Sequence, residues 1–321
     1  MIFEKKITDV YKRKLIRRLD ADGSVFYFEK EDFPGLLSDE VSFLSDKGQR
    51  LVGQFYYRGT RRTDRLIMLD HGMGCGHVGY MQEINLLTEH GYTVFTYDHT
   101  GTRMSEGENI GGLTQSLADL DHAMKFVRSL DEYKDTKIAV IGHSWGGFST
   151  INIPALHPDI THAVVLSPYI SVRSLHGQIL TGLLSLYKDS VYKVEADAFP
   201  DYVGYDGIES LRSSGVKALV IHSRDDDTCS FKKQFLVAQK ALADCPRVEF
   251  IALNGKKHYP NYTTEAAQYK SEYNAIVKVL RKKRLLTTRD ERVEFAMKQD
   301  WNKMTEQDMT VWERIFEFLE K

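Results

Sequence analysis

The chain has 321 residues and a net charge of −2, with 43 Lys and Arg against 45 Asp and Glu. Its 42% hydrophobic and 27% charged residues are ordinary for a globular protein, which excludes the disordered and fibrous classes. A chain of this length can bury a core without disulfides or a structural metal. Its near-neutral charge excludes nucleic acid as the main partner, because phosphate binding needs a basic surplus.

The N-terminal residues carry charges throughout and lack the apolar stretch of a secretory signal peptide. There is no uncharged apolar run of about 18 residues, so we expect no stable membrane insertion. The cysteines Cys75, Cys229 and Cys245 are odd in number and form no C-x-x-C pair. We therefore expect a cytoplasmic protein with free thiols.

The first predicted element is a helix over residues 7–19, whose apolar stripe is Ile7, Val10, Tyr11, Leu15 and Leu19. Its many basic residues are interpreted as the solvated face of a peripheral helix, with attraction to a membrane surface as the alternative. Two extended segments follow, Glu40–Leu44 and Arg50–Tyr57. The turn-like residues between them predict an opening β-hairpin.

Strand and helix patterns then alternate along the chain. The predicted strands are Arg65–Asp70, Tyr92–Tyr97, Lys137–Ile141, His162–Leu166, Lys217–His222 and Val248–Leu253. The predicted helices between them are Tyr80–His90, Thr114–Leu130 and Gly146–Leu156. This alternation predicts an α/β fold with a mostly parallel central sheet flanked by helices. Ligands of such sheets bind at the carboxyl ends of the strands.

Two stretches interrupt this alternation. Residues 169–210 contain many aromatics but no clean strand, which indicates a small helical cap inserted between strands. Residues 264–303 are strongly charged with a helical pattern, and we predict a helical insertion there. A last amphipathic helix follows, with Thr305 and Asp308 as its expected capping box. We expect residues 1–321 to form a single domain.

The strongest motif is Gly142-His143-Ser144-Trp145-Gly146, between a predicted strand and a predicted helix. A serine on such a tight turn adopts a strained backbone that lifts its hydroxyl above the sheet. The glycines on either side avoid collisions across the turn. The backbone N–H of Trp145 can stabilise an oxyanion. Ser144 is therefore the candidate nucleophile.

A serine nucleophile needs a histidine base and a carboxylate that orients the histidine. Candidates follow two later strands. One strand leads to Asp225, Asp226 and Asp227, and the other leads to His258. The chain order is Ser, Asp, His, and all three positions fall at one edge of the sheet. We favour Asp226 as the carboxylate, with Asp225 and Asp227 as alternatives.

With these motifs, the chain resembles the α/β-hydrolase family in its lipase, esterase and serine-aminopeptidase-like branch. Three further segments carry the resemblance: His71-Gly72-Met73-Gly74 matches HG-x-G, Asp98 to Gly107 matches D-x-x-G-x-x-x-S-x-G, and Gly255 to His258 matches G-x-x-H. The resemblance implies an oxyanion hole formed by the backbone N–H groups of Met73 and Trp145. It also points to Asp226 within the acid motif.

This sequence departs from the family pattern at three positions. Thr100 and Arg103 replace the family's arginine and second glycine in the loop after Asp98, so we expect a different loop there. Ser223 replaces the glycine of the acid motif. Among the other histidines, we expect His143 to pack beneath the nucleophile turn and His71 to support its own loop.

Another class of protein fits part of the sequence. Gly74-Cys75-Gly76-His77-Val78-Gly79 reads G-x-G-x-x-G, and Asp98 follows the next strand, as in a dinucleotide-binding oxidoreductase. This reading leaves Ser144, Asp226 and His258 unexplained. A non-catalytic binding protein with the same fold is a further alternative.

The predicted function is hydrolysis of a carboxylic ester with a small or moderately apolar acyl group. Ser144 attacks the carbonyl, His258 accepts its proton and Asp226 stabilises the imidazolium. A peptidase, amidase, thioesterase or acyltransferase would use the same triad. We expect a small-molecule acyl substrate, no cofactor and no metal ion, since no metal-binding motif is present. Composition and motifs leave the oligomeric state open.

Overall fold

The computed structural model describes residues 2–18, 28–74 and 76–321. Eight strands of this part of the chain form one sheet in the order β1-β2-β4-β3-β5-β6-β7-β8. The strands are β1 Leu36–Leu44, β2 Arg50–Arg58, β3 Arg65–Asp70, β4 Thr93–Tyr97, β5 Lys137–His143, β6 His162–Leu166, β7 Lys217–Ser223 and β8 Val248–Leu253. Strand β2 pairs antiparallel with β1 and β4, and all other neighbours are parallel. The predicted hairpin and mostly parallel sheet are confirmed.

Helices cover both faces of the sheet, as predicted. They are α1 Ile2–Leu15, α2 Met81–Glu89, α3 Gln115–Ser129, α4 Trp145–Asn152, α5 Val172–Ile179, α6 Lys188–Ala198, α7 Gly207–Ser213, α8 Phe235–Ala241, α9 Thr264–Lys282, α10 Arg289–Met297, α11 Trp301–Met304 and α12 Met309–Leu319. Helix α4 ends earlier than the predicted Leu156, and a short 3-10 turn over Ile153–Ala155 follows it. Pro154 lies in that turn, where it lacks the N–H that an α-helix would need.

The two faces of the sheet have separate apolar cores. Successive strand residues point to opposite faces, so Leu66 and Met68 of β3 contact one core while Ile67 and Leu69 contact the other. Helices α3 and α4 pack on the first face, and α2 and α12 pack on the second. Burial on both faces explains why these strands read as continuous apolar runs.

The N-terminal helix spans Ile2–Leu15 rather than the predicted 7–19. Glu4 in its first turn and the basic residues 12–14 in its last turn both complement the helix dipole, so charge favours this earlier span. The predicted stripe residue Leu19 lies outside the described residues. The Tyr11 hydroxyl donates a 2.5 Å hydrogen bond to Glu195 of α6, which joins α1 to the segment predicted as a cap.

Helices occupy both segments that interrupt the strand–helix alternation. Helices α5 and α6 and the start of α7 lie within 169–210, and α9, α10 and α11 fall within 264–304. A small apolar cluster of Tyr273, Ala296, Trp301 and Met304 holds α9, α10 and α11 together. The second segment therefore has packing of its own.

The predicted capping box before α12 is wrong. Asp308 itself caps the helix, because its Oδ1 accepts a 2.9 Å hydrogen bond from the backbone N–H of Thr310. Thr305 instead follows the end of α11, where its hydroxyl donates a hydrogen bond to the carbonyl of Trp301. A short aspartate side chain can reach an N–H two residues ahead, so Asp308 caps α12 by itself and no capping box with Thr305 forms.

Within the described residues, none of the helices is both long enough and apolar enough to cross a membrane.

Candidate active site

The nucleophile turn connects β5 directly to α4. Ser144 lies between them with φ of 57° and ψ of −107°, a conformation that side-chain-bearing residues rarely adopt. A Cβ at Gly146 would overlap the carbonyl of Asp70, and one at Gly142 would overlap the Thr150 hydroxyl. Glycine at position 146 therefore lets the turn approach β3 closely, and glycine at position 142 lets α4 pack against the end of β5.

Ser144, His258 and Asp226 form one continuous hydrogen-bonded chain. The Ser144 hydroxyl lies 2.8 Å from His258 Nε2. His258 Nδ1 lies 2.9 Å from Oδ2 and 3.0 Å from Oδ1 of Asp226. Because a carboxylate only accepts, Nδ1 carries the imidazole proton and the unprotonated Nε2 faces the serine. The arrangement can accept the serine proton.

Asp226 is the member of the acidic run that contacts His258. Its Oδ1 also accepts hydrogen bonds of 2.8 Å from Thr228 N–H and 2.9 Å from Cys229 N–H. Burial by itself raises the pKa of Asp226, but His258 and His222 outweigh that effect and hold the pKa below its usual range. This carboxyl therefore stays ionised beside the imidazole.

The flanking aspartates contact other groups. Asp225 accepts a 2.5 Å hydrogen bond from the Ser223 hydroxyl and pairs with Lys257 at 3.2 Å. Asp227 accepts from Ser271 at 3.2 Å. The serine that replaces the family's glycine thus binds a neighbouring carboxylate, and its hydroxyl also accepts from the Lys256 N–H at 3.1 Å.

Met73 and Trp145, the predicted oxyanion-hole residues, line the same cavity as Ser144 and His258. Met73 follows the end of β3. Trp145 is the first residue of α4, where backbone N–H groups lack partners within the helix and the helix dipole favours negative charge. The Trp145 indole donates a 2.7 Å hydrogen bond to Leu113 O, which fixes the start of the helix.

His71 and His143 are buried supports of the site's loops. His71 lies 2.8 Å from the carbonyl of Gly72 through Nδ1, and its Nε2 accepts from the backbone N–H of His99 at 3.1 Å. Burial, followed by the nearby His99, lowers the pKa of His71 to about 3. Burial, followed by His258, lowers the pKa of His143 to about 3. Both imidazoles are therefore neutral at physiological pH.

The hydrogen bonds of His143 join three loops. Its Nε2 donates to the carbonyl of His258 at 2.7 Å, so Nδ1 accepts from the Tyr80 hydroxyl at 2.8 Å. The same hydroxyl accepts from the Gly72 N–H at 2.9 Å. Sequence reasoning missed Tyr80, because it lies in an ordinary apolar helix pattern and nothing local marks its long-range bonds.

A buried acidic cluster beneath the site was also missed. His99 lies 2.9 Å from Asp70 and 3.2 Å from Asp119. Burial opposes protonation of His99, but the two carboxylates outweigh it and raise its pKa to about 9. A charged imidazole thus links β3, the loop after β4 and α3.

Asp98 is buried and forms its hydrogen bonds within the protein. It has no exposed surface, and its Oδ1 accepts from the backbone N–H of His77 at 3.0 Å and contacts His77 Nδ1 at 2.9 Å. An aspartate that binds a ribose must reach the ligand. The geometry thus disfavours the dinucleotide-binding alternative. Cys75, within that glycine-rich stretch, lies outside the described residues.

The two departures in the loop after Asp98 are Thr100 and Arg103. Arg103 adopts a left-handed φ of 43°, the conformation for which a glycine is usual. Thr100 donates its hydroxyl to Asp119 at 2.9 Å. The Ser105 hydroxyl of the matching motif donates to Asp98 O at 2.5 Å, so the loop keeps its anchor to the end of β4.

The cavity over Ser144 has a volume of about 540 Å³. Its described walls come from the nucleophile and histidine loops and from three helices that are distant in the chain: α1 with Leu15, α5 with Leu175 and Ile179, and α9 with Tyr273 and Val277. A larger, open groove of about 940 Å³ lies where β3, β5, β6 and β7 begin. That groove contains none of the predicted site residues.

Comparison with known proteins agrees with this fold. Residues 61–203 match the family model described as serine aminopeptidase, S33. An esterase of Pyrococcus furiosus superposes with a TM-score of 0.60 at 18% identity, over 84% of this chain and 98% of that one. An acylaminoacyl peptidase of Pyrococcus horikoshii superposes with a TM-score of 0.56 at 15% identity, over 76% of this chain and 42% of that one. These superpositions show that the chain has the α/β-hydrolase fold.

Curated relatives match this chain over part of its length. Mouse monoglyceride lipase is 27% identical to this chain over 144 residues, which cover 44% of each protein. The matched region spans about half the length, or less, of the curated relatives.

Proposed function

We propose that the protein is a serine hydrolase that cleaves carboxylic esters through an acyl-enzyme on Ser144. The observation that carries this proposal is the unbroken hydrogen-bonded chain from Ser144 through His258 to Asp226, with distances of 2.8 Å and 2.9 Å, at the floor of a cavity. The names of the esterase and lipase relatives support an ester as the substrate.

In the proposed mechanism, His258 Nε2 accepts the proton of Ser144 as its Oγ attacks the carbonyl carbon. The Asp226 carboxylate stabilises the resulting imidazolium, and the N–H groups of Met73 and Trp145 hold the tetrahedral oxyanion. His258 then returns the proton to the leaving alcohol. Water attacks the acyl-enzyme with His258 again as the base, and Ser144 is regenerated.

The cavity walls support a moderately apolar acyl group. Two leucines, an isoleucine, a valine and a tyrosine from α1, α5 and α9 line the cavity over the serine, and burial of apolar carbon in such a pocket favours binding. An amide, a thioester or acyl transfer would use the same triad. A panel of p-nitrophenyl esters of graded chain length, run beside aminoacyl naphthylamides and an acyl-CoA, decides among these. Amide turnover above ester turnover would overturn the ester assignment.

The nucleophile is tested with Ser144→Ala. We expect the wild-type protein to hydrolyse a short p-nitrophenyl ester and to be labelled by a fluorophosphonate probe, and the variant to do neither. Ser149→Ala is a matched control for probe specificity, since Ser149 is a buried serine of the same helix that bonds Asp70. Labelling of the Ser144 variant at the wild-type level would refute the assignment.

A further inference from the structure

His222 is a fully buried histidine beside the proposed catalytic carboxylate. It is the penultimate residue of β7 and has no exposed surface. Its Nε2 lies 2.9 Å from the carbonyl oxygen of Cys229 and 3.0 Å from Oδ2 of Asp226. Both neighbours only accept hydrogen bonds, so Nε2 must carry a proton. That N–H donates to Cys229 and places its positive end against the carboxylate.

The second ring nitrogen of His222 indicates that the residue does not serve folding stability alone. Nδ1 is buried without a hydrogen-bond partner among the described residues. The ring is flanked edge-on by Phe231 and Phe235, each with its centroid 5.9 Å away. Leaving a polar nitrogen unpaired between phenylalanines costs folding free energy, so such a group calls for an explanation other than packing.

The geometry around Cys229 supplies that explanation. The turn from Asp226 to Cys229 is closed on one side by the bonds from Thr228 N–H and Cys229 N–H to Asp226 Oδ1. His222 fixes the other side of the turn by holding the Cys229 carbonyl. With both sides fixed, the Asp226 carboxylate has one orientation, which faces His258 Nδ1.

We propose that His222 is a positioning residue that orients Asp226 toward His258 through its Nε2–H. This inference rests on the proposed function, because orientation of Asp226 matters only if His258 acts as a base. Misplacement of a reacting group by about 1 Å can cost about 100-fold in rate. We therefore expect the loss to fall on kcat, since His222 does not line the substrate cavity.

The test compares three variants with the wild-type enzyme on one p-nitrophenyl ester. His222→Leu removes the N–H and should lower kcat roughly 10- to 100-fold with KM within about twofold. His222→Gln can place an amide N–H near the Nε2 position and should retain kcat within about fivefold. His162→Leu is the matched control. His162 is the first residue of β6, at the strand ends away from the triad, and among the described residues it also has a buried ring nitrogen without a hydrogen-bond partner.

The possible outcomes distinguish failure of the proposed function from failure of the role of His222. A wild-type enzyme with neither turnover nor fluorophosphonate labelling would overturn the proposed function and this inference together. An active wild type with equally active His222→Leu would overturn only the role of His222. If His222→Leu does not fold, His222→Gln decides: a folded, nearly fully active variant supports the role, and a folded variant with a 100-fold lower kcat refutes it.

Discussion

Replacement of Asp226 by asparagine should move the imidazole proton of His258 from Nδ1 to Nε2. Oδ1 of Asp226 accepts two backbone N–H groups, those of Thr228 and Cys229. In Asp226→Asn the amide oxygen must take this position, so the NH₂ group takes the position of Oδ2, which lies 2.9 Å from His258 Nδ1. An amide donor there favours an unprotonated Nδ1 and a protonated Nε2 facing Ser144.

A protonated Nε2 cannot accept the serine proton. The same tautomer error in a serine protease lowers kcat by about 10⁴-fold. We expect a similar loss here, which corresponds to about 5.5 kcal/mol of transition-state stabilisation at about 1.36 kcal/mol per tenfold. The two backbone bonds to Oδ1 remain in the variant, so we expect the fold to persist, although the new NH₂ group faces the His222 N–H at the position where Oδ2 accepted.

The assay is kcat/KM on a short p-nitrophenyl ester, with circular dichroism to verify folding. Asp225→Asn and Asp227→Asn are natural controls, because their carboxylates bond Ser223 and Ser271 rather than His258. Both should keep activity within about fivefold. An Asp226→Asn variant that retains more than about a hundredth of the wild-type kcat/KM would refute this prediction, and so would a control variant whose kcat/KM falls as far as that of Asp226→Asn.

Two further predictions concern stability. His143 has a pKa lowered to about 3 in the folded chain against about 6.5 unfolded, so its contribution is present above pH 6.5 and lost as the pH falls toward 3. Urea unfolding between pH 7 and pH 5 should therefore show a steeper loss for the wild type than for His143→Gln, and parallel curves would contradict this. Glu195 accepts hydrogen bonds from Leu113 N–H at 2.9 Å and from Thr114 N–H at 3.1 Å. Glu195→Ala leaves these buried donors unpaired and should cost roughly 3 kcal/mol, whereas exposed Glu317→Ala should cost under about 0.5 kcal/mol. Equal urea midpoints for these two glutamate variants would refute the expected role of Glu195.

The parallel strands could be predicted to within two residues, because strands buried on both faces read as short apolar runs, whereas β1 begins at Leu36 rather than at the predicted Glu40. β3, β6 and β8 have the predicted bounds. The helix ends were less predictable. The start of α1 and the cap of α12 depend on charges and on one aspartate side chain, which compete over only a few residues.

The residues of the proposed triad could also be predicted, since each follows a strand and parallel strands bring their carboxyl ends to one edge. The surrounding network could not. Tyr80 and His99 make bonds to residues up to 63 positions away, as in the bond from Tyr80 to His143, whereas His222 contacts Asp226 and Cys229 across the turn that follows β7. Such contacts leave no spacing in the chain that distinguishes these residues from ordinary core positions.

The charges near the active site do not indicate the charge of the substrate. The aspartates at 225–227 lie at the active-site edge, yet Asp225 pairs with Lys257 and Asp226 faces two histidines. These carboxylates are therefore used within the protein, and they give no reason to expect a cationic substrate. Part of the cavity wall comes from α1, α5 and α9, which lie outside the triad motifs. If the proposed function holds, we expect these helices to set substrate preference, so exchanging their apolar residues should change acyl-chain selectivity on a panel of p-nitrophenyl esters without altering the triad.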